Sequence, residues 1–182
     1  PVGYRRRESI TERKVMNALT THYATTESPI GELLVLGDGA AVHSLLMNGD
    51  GDFDACKVEL KRDQDAYADA IDQLAEYFAG ERDVFDLDLR PSGTDFQLAV
   101  WRALKAIPFG ETRSYGEIAA AVGRPKAARA VGMANNRNPI AVVVPCHRVI
   151  GANGAMVGYA GGLGRKTWLL THERERSANS SS

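Results

Sequence analysis

Residues 114–135 read SYGEIAAAVGRPKAARAVGMAN, and the folding of this stretch decides the architecture of the second half of the chain. Ser114, followed three residues later by Glu117, has the form of a capping box: the hydroxyl takes a first-turn amide and the carboxylate reaches back. Ile118, Ala119 and Val122 then give a short helix its apolar face, and Gly123 ends it. Pro125, after Arg124, suits a first helical position and predicts a second helix from Lys126 to about Asn135. Two short helices joined by Gly-Arg-Pro read as a helix-turn-helix. Ala127, Ala128, Ala130, Gly132 and Ala134 make the second helix small nearly all round, with Arg129 the long side chain among them. Two uses fit such a helix: close approach to a narrow nucleic-acid groove, or a tight contact with another helix.

Downstream, residues 142–149 read VVVPCHRV. An apolar run that reads as buried delivers a thiol beside an imidazole and a guanidinium. A free thiol is mostly un-ionised near neutrality, so a nucleophilic cysteine needs assistance. His147 and Arg148 stand at the next two positions to supply it, and Pro145 stiffens the approach to Cys146. The alternative for Cys146 is a small buried hydrophobe. Glycines then crowd around Tyr159, in Gly158-Tyr159-Ala160-Gly161-Gly162, which fits a ligand loop or simple turns. Lys166 to Glu173 closes the pattern as an amphipathic helix with Trp168 in the core.

Upstream, Thr94 can cap a helix from Asp95 to about Ala106, with Phe96, Val100, Leu104 and Ile107 on one face. Arg90-Pro91-Ser92-Gly93 reads as a linker. Before it, Tyr23–Thr26, Glu32–Leu36 and Ala41–Met47 read as strands, and the Asp-rich stretch with Gly49 and Gly51 as loop. Tyr67 to Phe78 has helical spacing and is stopped by Gly80. The predicted fold is α/β of the α+β kind: a small amino-terminal antiparallel sheet plus helix, then a helical carboxy-terminal domain with the helix-turn-helix. The expected divisions are a basic extension over 1–20, a subdomain over 21–90, a DNA-binding and active-site domain over 94–176, and a disordered tail over 177–182.

The formal net charge of −1 conceals a division. Residues 1–93 hold 10 Lys/Arg against 18 Asp/Glu, and residues 94–182 hold 12 against 5. A basic half carried on an acidic half suits a polyanion-binding face, although surface composition alone could produce it. No apolar run is long enough to span a bilayer and no signal-peptide pattern opens the chain, so no membrane partner is expected. The two cysteines, Cys56 and Cys146, form no disulfide framework, and an exposed reactive thiol suits a reducing cytoplasm. The four histidines, His22, His43, His147 and His172, are too scattered to propose a zinc site, and no cofactor is expected.

Taken together, Pro145-Cys146-His147-Arg148, Ser114-Tyr115-Gly116-Glu117, Lys126 to Gly132, Asn138-Pro139, and Tyr159 ahead of Gly161-Gly162 resemble the O6-alkylguanine-DNA alkyltransferases. The resemblance runs from about Phe96 to Glu173; the amino-terminal half shares only its strand–helix outline and Ser28-Pro29-Ile30-Gly31. It implies that Cys146 takes the alkyl group from O6-alkylguanine in double-stranded DNA, and from O4-alkylthymine, once per protein molecule. It implies a Cys146–water–His147–Glu173 relay, Tyr115 as donor to the guanine ring nitrogen, and Asn138 bracing the turn before an active-site strand. The substrate pocket would use Tyr159, the Ala160 amide, Val149 and Arg148; Arg148 fits a structural salt bridge equally well. Arg129 would fill the space of a flipped nucleotide, while Ala127, Ala128, Ala130, Gly132 and Ser114 meet the minor groove.

The resemblance has departures. Some members carry structural zinc on cysteines that this chain lacks, and nothing corresponds to the zinc domain of the bifunctional regulators. Cooperative self-association on DNA is left open by the sequence. The rival reading is a damage-binding or regulatory helix-turn-helix protein in which Cys146 is structural or redox-sensing and no alkyl group moves.

Overall fold

The structure, a computed structural model, describes residues 19–179. Strands β1 (His22–Thr26), β2 (Leu33–Gly37) and β3 (Val42–Met47) form an antiparallel meander with Ala24 opposite Val35 and Val35 opposite Leu45. Side chains alternate across β2, so Leu33 and Val35 enter the main core while Leu34 and Leu36 face the other way. That second face is apolar and requires a cover. Helix α1 (Phe53–Glu59) supplies it, packing Phe53 and Cys56 over Leu34, Leu36 and Leu46. Each such large side chain contributes about 1.5–3 kcal/mol on burial. The acidic stretch expected to be loop is therefore loop only up to Asp52; its polar composition hid a one-sided apolar pair. Strand β4 (Lys61–Arg62) joins β1 in parallel, giving the order β3-β2-β1-β4 and making the expected antiparallel sheet a mixed one.

Helix α2 (Ala68–Ala79) follows a single 3-10 turn and buries Ala70, Leu74 and Tyr77. Helix α3 (Asp95–Lys105) opens on a capping box from Thr94 and Gln97 and buries Val100, Trp101 and Leu104. After β5 (Arg113–Ser114), helix α4 (Tyr115–Ala121) opens on the predicted capping box, with Glu117 Oε2 accepting the Ser114 amide at 2.6 Å. Gly123, at φ +72°, takes the left-handed turn that lets the Arg124 amide reach the Ala119 carbonyl at 2.8 Å.

Helix α5 (Ala128–Asn136) starts later than the Lys126 expected. Pro125 is not its first residue; it lies inside a turn closed by the Ala127 amide on the Arg124 carbonyl at 2.8 Å. A proline's fixed φ suits the second position of a turn as well as it suits a helix start, and sequence does not separate the two. Cys146 does not precede an extended active-site strand directly. It opens a 3-10 turn, Cys146–Arg148, and only then comes the two-residue β6 (Val149–Ile150), parallel to β5.

Helix α6 (Leu163–Asn179) begins before Lys166 and continues past Glu173. Residues 177–179, expected in a disordered tail, are thus helical, and residues 180–182 lie outside those described. Of the expected extension over 1–20, residues 1–18 also lie outside; Thr20 is buried and meets His43 Nδ1 at 3.0 Å. Trp168 is half-buried against the core, stacked on His172 at 4.9 Å between ring centres.

The two halves share one core. A single cluster holds Leu33, Val35, Leu45 and Tyr77 together with Val100, Trp101, Ile140, Cys146 and Leu169. A backbone bond joins the halves at β3, Leu45 N donating to the Pro139 carbonyl at 2.8 Å; within the amino-terminal half, Val42 N donates to the Asp88 carbonyl at 2.9 Å.

Candidate active site

Two γ-turns deliver Cys146. The Val143 amide bonds to the Ala141 carbonyl at 2.9 Å around Val142, whose φ of +70° is an outlier for a β-branched residue. The Cys146 amide bonds to the Val144 carbonyl at 2.8 Å around Pro145 (φ −80°, ψ 65°). The strain at Val142 costs about 1–3 kcal/mol and persists only where the surroundings enforce it. Asn138 is the enforcing residue. Its Nδ2 donates to the Val144 carbonyl at 2.7 Å and its Oδ1 accepts the Ile140 amide at 3.1 Å, so one side chain grips both ends of the strained segment.

Past the cysteine, the 3-10 turn sends His147 and Arg148 inward, onto Glu173 of α6. Both Glu173 and His147 are fully buried. Glu173 Oε1 meets His147 Nε2 at 2.8 Å, and Arg148 donates Nε to Oε2 at 2.9 Å and Nη2 to Oε1 at 3.0 Å. Tyr77 of α2 and the Gly110 amide complete the shell, at 2.7 Å to Oε1 and 3.1 Å to Oε2. Burial opposes the charge on Glu173, but the hydrogen bond from His147 and the guanidinium of Arg148 outweigh it and hold the carboxyl down at about 2. An ionised Oε1 requires His147 Nε2 to carry the proton. Nδ1 is then a bare acceptor, and it is buried with no protein partner. Burial first, then the charges of Arg148 and Lys166, hold the His147 pKa below its usual value against the pull of Glu173, so the ring is a neutral base.

The thiol is not activated in the manner the sequence suggested. Burial pushes Cys146 up to about 11, so it is protonated at rest. Arg148 is committed to Glu173 and to the Ile107 carbonyl, at 2.7 Å, and gives the thiol no direct support. The groups that oppose the effect of burial are the Asn138 side chain, the Lys166 charge and the amides of Cys146 and His147. Lys166 is the functional residue that sequence reading passed over as part of an amphipathic helix. It is fully buried, and its Nζ donates to the Val149 carbonyl at 2.6 Å and the Val157 carbonyl at 3.0 Å. The available signal was a lysine at a position where the helix pattern required an apolar residue.

Cys146 opens on a cavity of ≈ 620 Å³ whose walls include Tyr159, Ala160, Asn135, Asn138, Met47 and Trp101. Tyr159 is buried with its hydroxyl unpartnered, and burial raises its pKa well above the usual value, so it stays a neutral donor. Gly161 allows this closure: a Cβ there would stand 2.5 Å from Met47 Cε and 2.8 Å from the Tyr159 ring. Tyr115, half-buried, donates to the Val157 carbonyl at 3.2 Å, and burial together with the neighbouring Cys146 raises its pKa. Val149 is buried beneath the site, while Ala160 is exposed at the cavity mouth.

Of the remaining predicted residues, Arg129 and Ala130 lie on the outer face of α5 and the others at its start, on its inner side or ahead of α4. Arg129, Ala130, Met133 and Asn136 are exposed along one stripe of that helix, Ala127 and Ala128 are half-buried at its start, and Gly132 lies under the Tyr115 ring. The Ser114 hydroxyl accepts the Glu117 amide at 3.2 Å, and its side chain also bonds the Glu117 carboxylate, which helps hold that carboxyl below its usual value. Met133, 55% exposed, is a large apolar side chain in this stripe that sequence reading left out. Among the described residues, no group of three or more His, Cys, Asp or Glu is placed to hold a metal ion, and no helix is long and apolar enough to cross a membrane.

The chain matches two family models: residues 21–91 match the ribonuclease-like domain, and residues 95–175 the DNA-binding domain, of 6-O-methylguanine DNA methyltransferase. It is 52% identical over 156 residues to the methylated-DNA–protein-cysteine methyltransferase of Mycobacterium tuberculosis, covering 86% of this chain and 94% of that one. The methyltransferase of the same name from Methanosarcina acetivorans is also 52% identical, over 84% of this chain and 97% of its own. Among solved structures, Mycobacterium tuberculosis O6-methylguanine methyltransferase superposes with a TM-score of 0.80 over 85% of this chain and 93% of the other, at 52% identity. Mycobacterium tuberculosis OGT in complex with DNA does so with a TM-score of 0.80 over 86% and 94%, again at 52% identity. With both halves matched and half of all aligned residues identical, the chain belongs to the 6-O-methylguanine DNA methyltransferase family and is a methylated-DNA–protein-cysteine methyltransferase.

Proposed function

We propose that this protein repairs duplex DNA by moving the alkyl group of a flipped O6-alkylguanine, and of O4-alkylthymine, irreversibly onto Cys146. The observation that carries the reading is the buried base: His147, which follows the protonated Cys146 in the chain, has Nε2 pinned to an ionised Glu173 and Nδ1 bare. As the Cys146 sulfur bonds to the alkyl carbon, the carbon–oxygen bond breaks and its electron pair passes to the guanine. The thiol proton goes to His147 Nδ1 through one water molecule, and the resulting imidazolium is stabilised by Glu173. Tyr115 releases Val157 and donates to the guanine ring nitrogen, where negative charge develops. Its raised pKa keeps that proton in place until it is needed.

A thiol within the protein cannot reach a stacked base, so the nucleotide is extruded into the cavity. The exposed stripe of α5 lies in the minor groove: Arg129 fills the vacated space, Ala127, Ala128, Ala130, Gly132 and Ser114 let the backbone come close, and Met133 adds an apolar wedge. Minor-groove readout carries little sequence information, which suits a search for damage in any context. Tyr159 and the Ala160 amide hold the base, over Val149 and Arg148. The thioether product has no good leaving group, so each molecule acts once.

The test is a titration of the protein with duplex carrying a tritiated methyl on guanine O6. Label is expected on protein up to one methyl per chain, with none added by a second portion of duplex. No label on protein after the first portion, or label that exceeds one methyl per chain, contradicts the reading.

A further inference from the structure

Tyr77 belongs to α2, in the subdomain that carries none of the residues assigned above to chemistry. It is fully buried, and its hydroxyl donates to Glu173 Oε1 at 2.7 Å, a shorter contact than that of His147 with the same oxygen. The ring has little freedom. Phe78, Phe85, Phe109 and His172 surround it with centres 5.2, 5.3, 6.1 and 5.4 Å away, and His172 Nε2 lies 2.8 Å from its carbonyl oxygen. A buried tyrosine needs an acceptor for its hydroxyl, and this one takes the oxygen on which the imidazole depends.

We infer that Tyr77 is a positioning residue for alkyl transfer: its hydroxyl fixes the Glu173 oxygen that His147 uses, and so makes the amino-terminal subdomain part of the relay. The inference rests on the His147–Glu173 reading above. Oε1 receives three donors, from His147, Tyr77 and Arg148 Nη2, where a carboxylate oxygen has about two lone-pair directions. Each donor therefore weakens the hold of the others. Tyr77 and Arg148 drain charge from Oε1 and keep His147 from becoming an imidazolium before substrate arrives. The other titratable or charged groups around the pair are Lys166 and His172 of α6 and Tyr159 of the glycine-rich loop.

Replacing Tyr77 by Phe removes one donor and leaves the ring. Oε1 then concentrates its charge on His147 Nε2–H, which favours the protonated ring. Since the relay needs His147 neutral, the low-pH limb of alkyl transfer moves upward together with the ring titration, by about one pKa unit, the size of one hydrogen bond to a charged group. A role confined to packing predicts no such movement. Phe85→Leu is the control: it alters packing on the Tyr77 ring without touching the carboxylate, and its titration is expected to match the unaltered protein.

The experiment follows the ring nitrogens of His147 by NMR across pH in full-length protein and in Y77F and F85L, beside the pH profile of transfer from O6-methylguanine duplex. An upward shift in Y77F alone, in both readouts, supports the inference. Coincident His147 titrations in folded Y77F and unaltered protein overturn it. Should Y77F not fold, the Tyr77 hydroxyl proton of the unaltered protein decides. Slow exchange with a cross-peak to the His147 ring supports the inference, and exchange at the solvent rate overturns it. The NMR arm stands without alkyl transfer, so failure of the transferase reading is seen separately as absence of product.

Discussion

Lys166 Nζ donates to the carbonyl of Val149 at 2.6 Å, and this bond ties the last helix to the residue just beyond the reactive turn. The same ammonium donates to Val157, whose carbonyl also accepts Tyr115. One buried cation thus organises the backbone on both sides of the cavity while its charge favours the Cys146 thiolate. Substituting Lys166→Met leaves two carbonyls without this donor, which costs about 1–3 kcal/mol in denaturant titrations. It also raises the thiol pKa further, so iodoacetamide reacts with Cys146 more slowly at each pH. An unchanged reaction rate in folded K166M would show that the ammonium does not act on the sulfur.

The thiol itself titrates high. With Cys146 at about 11, its reaction with a small alkyl halide should climb steadily through pH 8 to 10, because the thiolate fraction is still rising there. A plateau near neutral pH would mean a thiolate already formed, and a different route for the proton.

Glu173 makes stability depend on acid. Its folded pKa, about 2, lies below the 4.5 of a free glutamate side chain, so its contribution is full above 4.5 and disappears as pH falls toward 2. The difference corresponds to roughly 3 kcal/mol. His147, lowered from 6.5 by burial, adds a loss of the same sign that starts below pH 6.5. Denaturant midpoints measured from pH 7 to pH 3 should fall continuously, and Glu173→Gln should flatten the lower part. Midpoints that stay level over that range would refute the assignment of charge at this site.

Arg129 is exposed and makes no part of the relay. Arg129→Ala should slow transfer from duplex by at least about ten-fold, near 1.4 kcal/mol of barrier, yet leave transfer from the free alkylated base unchanged. Equal slowing on both substrates would place Arg129 in the chemistry rather than in extrusion.

Much of the fold was legible in local signals that depend on few residues. The capping box at Ser114 and Glu117, the cap at Thr94 and the strand over Leu33–Leu36 stand as read, because each is set by neighbours in sequence. Pro125 misled because a helix start and a turn ask for the same φ. Helix α1 was missed because its partner surface, Leu34, Leu36 and Leu46, exists only after the sheet forms. At the site, the His147–Glu173 contact is the one the resemblance implied, whereas the surroundings of the thiol are not those expected from its immediate neighbours. Arg148 faces Glu173 instead of the thiol, and the groups that do face the thiol, Asn138 and Lys166, lie 8 residues before it and 20 after it in the chain. Tyr77 shows in the sequence only as part of a helically spaced segment. Its hydroxyl finds Glu173 96 residues away, which no local pattern encodes.

The central claim is that Cys146 receives the alkyl group. It is tested most directly by the intact mass of the protein after mixing with duplex containing O6-methylguanine, followed by peptide mapping. A gain of about 14 Da, saturating at one per chain and located on Cys146, is predicted. No gain from folded protein that still binds the duplex, or a gain on another residue such as Cys56, would contradict it.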